Sequence, residues 1–223
     1  MKATFRIFIA ILLGLLVLVL SGIVSSIDVL VQLRKAQPWV PITHTVMLLA
    51  SFILIYLLSK GKISLYGIKM IRTRQLKQPI IIGTIAAIIV QGLGLLLPIR
   101  GFEFMESYSL LQVIIFIWIY ASISEEFLTR GLIQGYLAPL IKYKIRIFNF
   151  HISVPVLVAA LFFGLMHLGL LTTNTSTFTV FFVVFFAIIV GIIAGYYREK
   201  TESIIPAILI HMLFNVWSTI LGS

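Results

Sequence analysis

Apolar residues in this chain come in long runs, and the polar residues collect between them. The runs cover about Phe5–Val24, Ile42–Leu58, Pro79–Pro98, Ser153–Leu171, Phe178–Tyr197 and Ile204–Leu221. A helix that crosses the bilayer core needs about 20 apolar residues, and each run is close to that length. A further stretch, Tyr108–Ile141, reads as one long helix with Glu125, Glu126 and Arg130 at its middle. The pattern predicts an all-α polytopic membrane protein: a bundle of about seven transmembrane helices with an intramembrane polar cavity. Two regions are expected, residues 1–107 with about three helices and residues 108–223 with the polar clusters.

Composition points the same way. Hydrophobic residues make up 61% of the 223 and charged residues 11%, and the mean hydropathy is +1.14. That leaves too few polar residues to build the shell of a soluble domain, so the bilayer is the expected solvent. The chain has no cysteine, which excludes disulfides and thiolate metal sites.

A net charge of +10 would suggest a nucleic-acid binder in a soluble protein. Here the charge sits between apolar runs, where it sets topology and meets anionic lipid headgroups. Membrane lipid is therefore an expected partner and nucleic acid is not. With the N-terminus inside, the inner segments hold Lys2 and Arg6, then Lys60, Lys62, Lys69, Arg72, Arg74 and Lys77. They also hold Arg130, Lys142, Lys144 and Arg146, then Arg198 and Lys200, whereas the outer loops hold Arg34, Lys35 and Arg100. The bias predicts a cytoplasmic N-terminus and, after seven spans, an external Ser223. The first run follows Lys2 and Arg6 as in a signal peptide, but it is too long and lacks a small-x-small cleavage site, so it reads as an uncleaved helix. Trp39, Tyr56, Tyr108 and Tyr196 lie near span ends, as interfacial belt residues do, and Gly191 with Gly195 forms a GxxxG that marks close helix packing.

Ionisable groups inside a bilayer are costly, and each needs a partner or a task. Three clusters stand on three different expected helices. In Ser124-Glu125-Glu126-Phe127-Leu128-Thr129-Arg130-Gly131, Glu126 and Arg130 are four apart and can pair on one face. Glu125 points about 100° away and is left without that partner. The second cluster is Phe163-Gly164-Leu165-Met166-His167 and the third is His211-Met212-Leu213-Phe214-Asn215. Pro206, before the third, is expected to free a backbone carbonyl and bend the helix around a cavity. Each cluster alone could be structural: solvated charges at a helix end, a hydrogen-bonded core histidine, or an interhelical polar pair. Together, a carboxylate, two histidines and an asparagine are the parts of a site that activates water and stabilises an oxyanion. Two carboxylates and one guanidinium also leave a negative charge that a proton, an imidazolium or a metal must meet.

Glu125-Glu126-x-x-x-Arg130-Gly131, Phe163-x-x-x-His167 and His211-x-x-x-Asn215 resemble, in order and spacing, the three motifs of the type II CAAX prenyl endopeptidase family, also called the Abi or CPBP family of intramembrane proteases. The resemblance covers about Ile119 to Trp217, in the region expected to form the catalytic bundle. It implies peptide-bond hydrolysis within the membrane, on a membrane-embedded or lipidated peptide or protein. By similarity, Glu125 and His167 would activate water, His211 and Asn215 would form the oxyanion hole, and Glu126 with Arg130 would be a structural pair orienting Glu125, with Phe163 beside them. Bacterial members are linked to peptide maturation and to self-immunity against bacteriocins, and a bacterial cell membrane is the expected location. Zinc held by Glu125, His167 and His211 is the alternative chemistry. The neutral amide of Asn215, a poor zinc ligand and a good donor, favours a site without cofactor. A proton-coupled transporter is the competing function, although transporters commonly repeat their halves and no such repeat is seen here. A non-catalytic scaffold of the same fold is the other.

Overall fold

The computed structural model describes residues 2–36, 41–97, 99, 108–147, 150–173 and 175–221. Trp39, Pro98, Arg100 and Ser223 lie outside the described residues.

Six helices are long and apolar enough to cross a membrane, and a shorter apolar helix follows them. The chain is an all-α polytopic membrane protein. Helix α1 is Ala3–Ser25, the short α2 is Asp28–Ala36, α3 is Ile42–Ser59 and α4 is Lys77–Leu95. The long helix α5 is Leu110–Tyr136. A two-stranded antiparallel hairpin follows, β1 Lys144–Ile147 with β2 Phe150–Ser153, in the register Ile145 opposite Ile152 and Arg146 opposite His151. Helix α6 is Val154–Met166 and tightens into a 3₁₀ turn, His167–Thr172. Helix α7 is Thr177–Thr201 and α8 is Ile205–Leu221.

Several expectations are corrected in detail. The fourth apolar stretch does not stay helical to Ile141. Helix α5 ends at Tyr136, and the turn Ala138–Leu140 carries Pro139, which cannot continue an α-helix interior. Pro206 does not bend a helix from within. Helix α8 starts at Ile205, so Pro206 sits in the first turn, where no partner for its missing N–H is lost. Arg130, counted with the cytoplasmic cations, is fully buried in the bundle. The hairpin and α2 replace segments that the hydropathy pattern left as loops.

Helix α5 is the central element, touching α1, α3, α6 and α8. One apolar cluster joins α1, α3, α5 and α6 around Val17, Ile55, Leu128, Leu132, Ile133 and Ala159. A second joins α4, α7 and α8 around Ala87, Val190, Ala194, Ile210 and Phe214. The outer faces are equally apolar: Phe5, Leu16, Leu57, Ile89 and Phe181 are exposed. In water such surface would be costly; against acyl chains it is not. Helix α5 widens to π-type turns over Val113–Ala121 and Phe127–Ile133, flanking the regular turn Ser122–Glu126 that carries both glutamates. Such turns loosen the backbone ladder and are frequent at functional sites. Polar side chains meet backbone carbonyls here: Ser124 Oγ donates to Tyr120 O and Thr129 Oγ1 to Glu125 O, both at 2.7 Å.

Candidate active site

The site lies where α5 of the first apolar cluster meets α8 of the second. Glu126 and Arg130 are both fully buried. One helical turn separates them, and Arg130 Nη1 donates to Glu126 Oε1 at 2.8 Å and to Thr129 Oγ1 at 2.7 Å. The guanidinium also stacks over the Phe163 ring of α6, 4.5 Å from its centroid, a cation–π contact that is strongest where water is excluded. Room for Arg130 comes from α7. A Cβ on Gly191 would come within 3.0 Å of Arg130 Nη2 and of the Ala160 backbone. One turn on, Gly195 accepts a hydrogen bond from Gln134 Nε2 at 2.9 Å through its carbonyl. The GxxxG of α7 therefore seats two polar side chains of α5 as well as packing helices.

His211 stands against both glutamates. Its Nδ1 is 3.1 Å from Glu126 Oε1 and its Nε2 is 3.9 Å from Glu125 Oε2. His167 opens the 3₁₀ turn after α6, and its Nδ1 bonds to Phe163 O at 2.8 Å. The Phe163 ring stands edge-to-face with both histidines, 5.1 Å from His167 and 5.2 Å from His211 between centroids. Phe163 is thus the apolar post around which Arg130, His167 and His211 are arranged. Asn215 Nδ2 donates to Ile117 O at 3.0 Å and to Ser122 Oγ at 3.1 Å, which ties α8 to the widened part of α5.

Glu125 is different from its neighbour. Its side chain keeps 14% exposure, and His44 Nε2 of α3 lies 3.5 Å from its Oε1. Glu125 Oε2, like Glu126 Oε2, is buried without a hydrogen bond among the described residues. His44 was missed by reading motifs. The available signal was a single imidazole in the first turn of an otherwise apolar span, with no acidic partner nearby in sequence.

Zinc would need three or four ligands at about 2.0–2.3 Å from one point. Among the described residues, no three side chains of the ligating types form such a group. The residues present do not fit zinc, and no step below runs through it.

Residues 107–217 match the model of the type II CAAX prenyl endopeptidase Rce1-like family. The chain belongs to this family through its C-terminal half. No curated protein and no solved structure matches it. The matched segment contains all three polar clusters and excludes His44. As a CAAX-protease family member the chain is an intramembrane protease, a hydrolase with protein or peptide substrates, and the multi-pass bundle places it as an integral membrane protein.

Proposed function

We propose that the chain hydrolyses a peptide bond inside the membrane with water activated by Glu125. The observation that carries this is the unequal use of the two adjacent carboxylates. Glu126 is spent on Arg130 and His211 and is 1% exposed, whereas Glu125 meets imidazoles, at 3.5 and 3.9 Å, and keeps 14% exposure. A carboxylate without a guanidinium partner is free to take a proton.

In the proposed step, water gives a proton to Glu125 and its oxygen bonds to the scissile carbonyl carbon. The C–O π pair moves to the carbonyl oxygen, forming the oxyanion. Collapse breaks the C–N bond, and the proton passes to the leaving amine. His167 supports this from the second helix. With its Nδ1–H donated to Phe163 O, Nε2 carries the lone pair and can accept from water. His211 supports the oxyanion. With Nδ1 donating to Glu126, donation from Nε2 makes the ring an imidazolium; Arg130 already offsets Glu126, so the imidazolium charge is balanced by Glu125 and, after proton transfer, by the oxyanion. Asn215 is the second donor, and it serves by exchanging its bond to Ser122 Oγ for one to the oxyanion. Glu126, Arg130 and Phe163 hold the arrangement in place. The substrate class proposed is a membrane-embedded or lipidated peptide, with peptide maturation or bacteriocin self-immunity as the setting and residues 108–223 as the catalytic bundle.

The test is cleavage of a membrane-embedded peptide by purified protein. Glu125→Gln should lose turnover almost completely, because the amide cannot accept the proton. Full activity in that variant overturns the assignment of Glu125 as the base.

A further inference from the structure

The catalytic carboxylate is held from the half of the chain that the family match leaves out. We infer that His44 of α3 is a positioning residue for Glu125, donating from Nε2 to Oε1 and so fixing the rotation of the carboxylate that takes the proton. This inference rests on Glu125 being the base.

Three observations support it. First, the two oxygens of Glu125 are divided between two imidazoles on different helices: His44 Nε2 lies 3.5 Å from Oε1 and His211 Nε2 3.9 Å from Oε2. A carboxylate turning freely about its last torsion would exchange its oxygens; one gripped at Oε1 cannot. Second, the residues on each side of His44 are tied to the bundle. Thr43 Oγ1 is 2.8 Å from Ser25 Oγ of α1, and Thr45 Oγ1 is 2.9 Å from Tyr120 OH of α5. Thr45 also donates to Pro41 O at 2.9 Å, closing the first turn of α3. These bonds set the rotation of α3 and aim the residue between them at α5. The Tyr120 tie lies on the same helix as Glu125, so the two ends of the His44–Glu125 contact are fixed to a common frame. Third, an imidazole in an apolar span has few polar groups to turn to, and a lone one is costly there. Among the described residues the carboxylate of Glu125 is the acidic group that meets His44.

The consequence is that the site is not contained in the matched segment 107–217. Helix α3, which packs on the turn carrying both glutamates, completes it. A carboxylate held to a fraction of an ångström makes a better base than a mobile one, and misplacement by about 1 Å costs about 10²-fold in rate.

The experiment uses the full-length protein in lipid, with His44→Ala, His44→Gln and Glu125→Gln compared on one membrane-embedded peptide. The side-chain amide of glutamine can donate from a position close to that of Nε2. His44→Ala should lower kcat by about 10²-fold with KM and the thermal midpoint unchanged. His44→Gln should recover most of that loss, a rescue that a merely space-filling role would not give. Wild-type kcat in His44→Ala overturns the inference, and so does a His44→Gln variant that folds but is as slow as the alanine form. A dead Glu125→Gln beside an unaffected His44→Ala removes only the role of His44. Retained turnover in Glu125→Gln removes the assignment of the base, and the inference with it.

Discussion

Glu126 holds His211 by its Nδ1 at 3.1 Å, and that bond turns the ring so that Nε2 faces Glu125. One glutamate thus serves the other across two helices. The same oxygen of Glu126 also accepts from Arg130, so this carboxylate links a buried cation to the imidazole that faces Glu125.

Removing that link should act mainly on stability. Glu126→Ala strands a guanidinium that is fully buried, and breaking a buried pair in this way costs about 3–5 kcal/mol. The thermal midpoint in lipid or detergent should fall sharply. Glu126→Gln, which keeps an acceptor, should fall less. An unchanged midpoint in Glu126→Ala would mean that Arg130 finds another anion.

Asn215 and Ser122 separate an oxyanion donor from a helix tie. Asn215→Ala should slow turnover by about 10²–10³-fold, the usual cost of losing one such donor. Ser122→Ala removes the hydroxyl that Asn215 Nδ2 meets at 3.1 Å and should keep activity within a few-fold, since it frees the amide rather than deleting it. Equal losses in the two variants would assign Asn215 to holding α8 against α5 instead.

Gly191 should tolerate no side chain. A methyl there meets the Ala160 backbone and Arg130 Nη2, each at 3.0 Å, and overpacking of this kind costs about 1–3 kcal/mol. Gly191→Ala should lower both stability and turnover, because displacing Nη2 moves the guanidinium that Glu126 holds through Nη1. Gly22→Ala, where the added methyl meets nothing within 4 Å, is the matched control and should do neither.

Activity should not depend on zinc. Purified protein incubated with a strong chelator should keep its full rate on a membrane-embedded peptide. Loss on chelation, with recovery on adding zinc, would overturn the metal-free mechanism.

Topology can be read with single cysteines, since the chain has none of its own. Lys62→Cys and Lys144→Cys, both at exposed positions, should label from the cytoplasmic side. Thr172→Cys, at the far end of the α6 span, should label from the opposite side. Labelling of Thr172→Cys from the cytoplasm would invert the orientation that the Lys and Arg distribution predicts.

Much of this protein was legible in its sequence. The spans could be read because partition into a bilayer is a property of some twenty consecutive residues, and no distant contact is needed to see it. The Glu126–Arg130 geometry could be read because four residues make about one helical turn. The order of the three polar clusters was enough to point to the family. Other features depended on how the helices rotate and pack, which no local period records. The sequence pattern marked Gly191 and Gly195 for close packing; only the tertiary structure made them the seats of Arg130 and Gln134. The hairpin of Lys144–Ile147 and Phe150–Ser153 is too short to show in a hydropathy pattern built for helices. Pro206 lost its expected bend because α8 begins one residue before it. His44 became a neighbour of Glu125 only because ties at Thr43 and Thr45 fix the rotation of α3. An imidazole alone in an apolar run carries no sign of the carboxylate it will meet; that meeting is decided by packing between helices far apart in the chain.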